Sequence, residues 1–184
     1  MFIQTETTPN PLTLKFIPGV PVLDAGTAFY TDKSAASESP LALALFDIAN
    51  VNAVFLGSDF ITVTRAEQSS WETLKPAVLT TIMEHFVSGR KTVNTGSKTT
   101  SNGAGEEDSE IVKQIIELID TRVRPAVAQD GGDIIYRSFE NGIVKLELHG
   151  SCSGCPSSTM TLKNGIENML RHYVPEVIAV EAVA

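Results

Sequence analysis

Between Arg90 and Glu107 the chain carries almost no apolar side chains. The stretch is rich in Thr, Ser, Asn and Gly and closes on Gly103-Ala104-Gly105-Glu106-Glu107-Asp108. A segment of that composition has nothing to bury and reads as a flexible tether. Structureless loops of such length are uncommon inside one compact domain. The 184 residues therefore divide into two small domains, 1–89 and 109–184, joined by a linker over 90–108.

Composition narrows the function classes. Hydrophobic residues make up 42% and charged residues 20%, the balance of a globular protein. A formal net charge of −8 argues against nucleic acid as the main partner, because phosphate binding needs a basic footprint. No apolar run approaches the about 20 residues that span a bilayer, so no membrane role is expected. The start, Met1-Phe2-Ile3-Gln4-Thr5-Glu6, has neither a secretory pattern nor an Arg-rich transit pattern. The expected location is a bacterial cytoplasm, or the mitochondrial matrix for a processed form.

In the first half, Phe2 to Thr7 and Leu12 to Phe16 alternate as half-buried strands do, around the Thr8-Pro9-Asn10-Pro11 turn. A looser polar stretch runs from Thr31 to Ser39. Ser39-Pro40 opens a helix with Leu41, Leu45 and Ile48 on its apolar face. Val51–Leu56 and Phe60–Thr64 read as a strand pair. Ser69 and Glu72 have capping-box spacing before a helix that aligns Leu74, Val78, Ile82 and Phe86. That order predicts a small α+β domain. Candidate chemistry is thin here: His85, the one histidine of this half, and Trp71 both read as packing or surface residues.

The second half opens with a helix capped by Asp108 or Ser109, with Ile111, Ile115, Leu118 and Ile119 on one face. Pro125 is expected to kink or interrupt it. Asp130-Gly131-Gly132-Asp133 lacks the ligand repeat of a calcium loop and the lysine of a phosphate loop, and reads as a C-cap and turn. Asn141-Gly142 is a strong hairpin signal between Ile134–Phe139 and Ile143–His149. After Pro156 a helix is expected to bury Met160, Ile166, Met169, Leu170 and Tyr173. Pro175 ends it, and Val177–Val180 reads as a last strand. The architecture is helix, hairpin, helix, strand, making two small α/β sandwich-like domains of α+β class in all.

Both cysteines of the chain, Cys152 and Cys155, stand between that hairpin and the last helix. Two sulfurs at C-x-x-C spacing converge on one soft metal centre. With Pro156 at the first helical position, Cys155 sits where a helix dipole favours thiolate, so the pair reads as activated ligands. An iron–sulfur cluster or a tetrahedral zinc needs four ligands. Two copies of the chain, each giving Cys152 and Cys155, supply them on a two-fold axis. Three rivals stand beside this reading: a thioredoxin-type dithiol enzyme, a zinc dimer with His149 assisting, and an interaction module with structural cysteines. The dithiol motif belongs early in a βαβ pattern, whereas here one helix and one strand follow. His149 reads more simply as an exposed strand residue, and His172 as a surface or capping residue.

Several further motifs stand around the cysteines: Arg124-Pro125, Asp130-Gly131-Gly132-Asp133, Leu148-His149-Gly150, Cys152-Ser153-Gly154-Cys155-Pro156-Ser157-Ser158, Thr161-Leu162-Lys163-Asn164-Gly165-Ile166-Glu167 and Pro175-Glu176-Val177. In this set and order the second half resembles the NifU-like C-terminal domain of the Nfu iron–sulfur scaffold proteins. Through Phe2-Ile3-Gln4-Thr5-Glu6, Thr8-Pro9-Asn10-Pro11, Ser39-Pro40-Leu41-Ala42 and Asp59-Phe60-Ile61-Thr62-Val63, the first half resembles the Nfu N-terminal domain. The resemblance implies a scaffold or carrier, not an enzyme. It would assemble a 4Fe–4S cluster between two subunits, with 2Fe–2S as the alternative, and hold it through Cys152 and Cys155. Its implied partners are upstream cluster-assembly proteins and apo iron–sulfur clients, which receive the cluster by thiolate exchange. The N-terminal domain is expected to choose or position clients.

Overall fold

The computed structural model describes residues 1–94, 110–153 and 156–183, the side chains of 156–158 excepted. The α+β expectation holds: two compact units, Met1–Thr99 and Thr100–Ala184, each consist of a sheet with helices packed on it. Residues 95–109 lie outside the described residues. They carry most of the expected linker and the expected Asp108 or Ser109 cap. Among the described residues no helix is long and apolar enough to cross a membrane.

In the first unit the strands are β1 (Gln4–Thr7), β2 (Thr13–Ile17), β3 (Ala28–Tyr30), β4 (Val51–Leu56) and β5 (Ile61–Arg65). They pair antiparallel in the order β1-β2-β5-β4-β3. Leu14, Phe16, Ile61, Val63, Val54 and Leu56 lie at paired positions that share one face. The helices α1 (Pro40–Phe46) and α2 (Trp71–Val87) join that face through Leu41, Leu45, Val78 and Ile82. Ser39 caps α1 as expected, its Oγ accepting the Ala42 N–H at 3.1 Å.

Three details depart from the sequence reading. The strand β3 was not expected. Ser70, not Ser69, is the N-cap of α2, while Ser69 Oγ turns back to donate to the Ala66 carbonyl at 2.7 Å. Ile48 lies beyond the end of α1 and packs against the core from the following turn.

The second unit runs α3 (Glu110–Leu118), α4 (Arg124–Gln129), β6 (Gly132–Glu140), β7 (Ile143–Gly150), α5 (Pro156–Tyr173) and β8 (Ala179–Val183). The interruption expected at Pro125 is a wide turn over Ile119–Val123, where the Arg124 N–H reaches back to Ile119 O. A turn opened by one residue accommodates a proline that has no N–H of its own to give. The hairpin turns at Asn141 (φ 52°) and Gly142 (φ 79°), the left-handed pair that a two-residue connection requires. α5 then returns the chain so that β8 lies parallel to β7. Ile115, Ile119, Val123 and Val127 meet Ile166 and Leu170 over Ile134, Tyr136, Val144 and Leu146.

Pro156 opens α5 as expected. Met160 (64% exposed) and Tyr173 (46% exposed), expected on its buried side, face outward. The last strand begins two residues later than expected, because Val177 is spent on the core before pairing starts.

Candidate metal centre

β7 ends at Gly150, whose φ of 68° turns the chain out of the sheet into Ser151-Cys152-Ser153. The turn is anchored on three sides. On the strand side, the Ser153 N–H (3.1 Å) and Oγ (2.9 Å) both donate to Gly150 O. On the helix side, Thr159 Oγ1 of α5 donates to Cys152 O at 3.0 Å. On the third side, the Ser151 N–H donates to Gly131 O at 3.2 Å and its hydroxyl donates to Asp130 O.

Cys152 is therefore not an exposed, activated thiolate. It is 7% exposed and belongs to the apolar core. Burial pushes its thiol up to about 11; the carboxylates of Asp130 and Asp133 push the same way, and the Ser151 hydroxyl opposes them. The helix-dipole argument concerned Cys155, which lies outside the described residues. The field of a bound cation acts in the opposite sense and stabilises thiolate.

Behind the sulfur stands Gly132, the first residue of β6. A Cβ placed there would come within 2.7 Å of Cys152 Sγ and 2.8 Å of the His149 carbonyl. Only glycine leaves that hollow, so Asp130-Gly131-Gly132-Asp133 is a wall of the site as well as a turn. Next to it Asp133 is buried, and Arg124 of α4 grips it with a fork: Nε to Oδ1 at 3.0 Å and Nη2 to Oδ2 at 3.1 Å. Asp133 Oδ1 also accepts the Ile134 N–H at 2.8 Å. Sequence reasoning missed both roles. The signal was the spacing of Arg124-Pro125 before the glycine pair, whose meaning depends on a chain return about twenty residues later.

The other candidates lie elsewhere or are already occupied. His149 Nε2 is 2.7 Å from Glu147 Oε1, and Arg137 holds the other oxygen of that carboxylate at 2.6 Å, which gives His149 a structural partner. His172 lies edge-on to Tyr173 at the far end of α5. In the first unit His85 is buried on α2, and Trp71 packs its ring against Phe16. A cavity of about 440 Å³, floored by Tyr30 and Glu38, also belongs to the first unit and contains none of the sequence-predicted site residues. Among the described residues, no group of three or more His, Cys, Asp and Glu side chains gathers where a metal could sit.

Known protein families match both halves of the chain. The family model of the scaffold protein Nfu/NifU N terminal matches residues 3–89, and that of the NifU-like domain matches 115–181. The chain is 56% identical over 185 residues to the NFU1 iron-sulfur cluster scaffold homolog, mitochondrial, of Homo sapiens, covering 100% of this chain and 72% of that protein. It is 51% identical over 184 residues to the protein of the same name from Drosophila virilis, with 100% and 62% covered. The chain thus spans less than two thirds of the length of that fly relative. A solution structure of a NifU-like protein from Saccharomyces cerevisiae superposes with a TM-score of 0.47 at 23% identity, over 52% of this chain and 87% of the other.

Proposed function

This chain belongs to the Nfu family of iron–sulfur cluster scaffold proteins, and on that premise we propose that it carries an iron–sulfur cluster between two copies of itself and hands it to apo-proteins. The observation that carries the reading is the placement of Cys152. It is held on a three-sided turn between β7 and α5, inside the matched NifU-like domain, and the chain offers one other cysteine, Cys155. Four thiolates hold a cluster, so two chains complete the set. We assign the cargo as 4Fe–4S, with 2Fe–2S as the form to be distinguished.

Handover is ligand exchange. A client thiolate forms a new iron–sulfur bond as the bond to a scaffold cysteine breaks, and the iron and sulfide inventory is unchanged. The released Cys152 thiolate takes up a proton, balancing the one the client thiol gives up, and returns as a thiol to its buried place, which favours departure of the cluster over rebinding. The client gains only its bonds to the cluster and, apart from giving up that proton, no bond within it is broken, so the role is that of a carrier. Its partners are upstream cluster-assembly proteins and apo iron–sulfur clients. Residues 1–89 and 109–184 serve as separate domains on a 90–108 tether, the first presenting clients to the second. The mitochondrial names of the relatives favour the matrix over a bacterial cytoplasm.

Anaerobic reconstitution with iron and sulfide tests this, read by visible absorption and solution mass together. Four irons and four sulfides per dimer, with dimer formation on loading, is the expected result. A chain that gains no chromophore and instead cycles between dithiol and disulfide would overturn the proposal in favour of a redox enzyme.

A further inference from the structure

Asp133 is a carboxylate buried at the start of an edge strand, a costly placement unless the charge is paired. A neutral apolar pair would hold α4 against β6 as well, and Val127 already anchors α4 in the core. The fork from Arg124 therefore calls for a reason beyond packing. Its position supplies one. Asp133 follows Gly132 directly, and its Oδ1 also takes the Ile134 N–H, so the fork fixes the backbone at 132–134. In the β6–β7 register Gly132 stands opposite Gly150 and Asp133 opposite His149. Fixing 132–134 thus fixes the strand end from which Cys152 departs. Both Ser151 bonds on this side land on Asp130 and Gly131, and the sulfur lodges where Gly132 has no Cβ.

We propose that Arg124 is a positioning residue for Cys152: by gripping Asp133 it holds Gly132 against the sulfur, so that in the metal-free chain the thiol occupies one fixed, withdrawn place. This rests on the reading of Cys152 as a cluster ligand, and it deepens that reading by naming what sets the ligand's place.

The test uses the 184-residue, metal-free chain carrying Cys155→Ser, in which Cys152 is the single thiol. Its alkylation rate by a maleimide is followed at one pH, alongside hydrogen exchange of β6 amides. Replacing the fork by the neutral pair Arg124→Gln with Asp133→Asn avoids stranding a buried charge. It is expected to raise the alkylation rate by about tenfold through local opening at 132–134, with exchange of the β6 amides beyond Ile134 unchanged. Arg124→Lys keeps the charge but not the planar fork and should behave like the double variant. Gly132→Ala, with the fork intact, should also raise the rate by filling the hollow. Alkylation that rises only in step with exchange over 135–140, a lysine that fully replaces the arginine, or a Gly132→Ala chain that alkylates like its parent would each overturn the proposal. The ligand reading fails separately. A Cys152→Ser chain that still takes up a full cluster would refute it while leaving the alkylation comparison untouched.

Discussion

The two units bury polar groups in different ways. In the first they are dispersed over the sheet and helices, and several serve the backbone close by. Asn10 Oδ1 closes the Thr8–Pro11 turn by accepting the Leu12 N–H at 3.0 Å, and Ser39 caps α1. Arg65 folds back onto the carbonyls of Ala66 and Glu67 at 3.0 and 3.2 Å. In the second they converge. Arg124, Asp133 and Ser151 come from α4, β6 and the turn after β7 and lie beside one sulfur, the Ser151 hydroxyl donating to the Asp130 carbonyl. A polar side chain that only satisfies its neighbours costs little sequence coordination. Three that meet beside Cys152 point to a shared task. Dispersal suits a scaffold and convergence suits a site, which is the contrast the proposed role of Cys152 rests on.

The largest effect that would break the comparison is loss of the cluster itself. Cys152→Ser or Cys155→Ser should abolish cluster uptake and cluster-dependent dimerisation with the fold retained, read as iron and sulfide per dimer and as circular dichroism. Damage to the first unit should do the opposite. Phe16 is fully buried against Trp71 and the helices, so Phe16→Ala should cost that unit about 3–5 kcal/mol in urea unfolding. Cluster uptake should be unchanged. Were uptake to fall with it, the first unit would share in the site and the comparison would fail. A milder probe is Ser39→Ala, which removes the α1 cap and also the 2.6 Å bond that Ser39 Oγ donates to Thr92 O. About 1 kcal/mol is expected from the cap. A much larger loss would show that the segment around Thr92, which leads into the proposed tether, is an integral part of the first unit.

What the sequence disclosed was local. Ser39-Pro40, Asn141-Gly142 and Pro156 each state a conformation in two residues, and each elements' end lies where they put it. The strand β3 escaped because three residues show no alternation, and it exists by pairing with β4. Met160 and Tyr173 escaped for a related reason: helical spacing reveals that a face is apolar, but the sheet beneath decides how far that face extends. The site divided the same way. The cysteine turn was plain from its own residues. The burial of Cys152 was hidden because it depends on Gly132, which the chain supplies twenty residues earlier and the hairpin register brings alongside. A glycine pair in a turn looks the same whether or not a sulfur will later press against it.

The smallest effect sharpens the comparison from the first unit's side, where His85 and Arg65 each carry a buried nitrogen that no partner serves among the described residues. In His85 this is Nε2, and the ring lies edge-on to Phe86 at 5.4 Å. Burial, and then the charge of Arg90, holds its pKa below the ordinary 6.5. The unfolded chain therefore binds a proton that the folded unit refuses. Stability is fully present above 6.5, and falls as the pH drops from there through the lower folded value. The urea midpoint of the first unit should be lower at about pH 5.5 than at about pH 7.5, the window in which a histidine titrates. His85→Leu should flatten that dependence while keeping the helix packed. If wild type and variant lose stability alike over this range, the acid sensitivity lies elsewhere and His85 is as well satisfied as its neighbours. Cluster uptake, which belongs to the other unit, should be the same in both chains at either pH, and a difference between them would again tie the two units together.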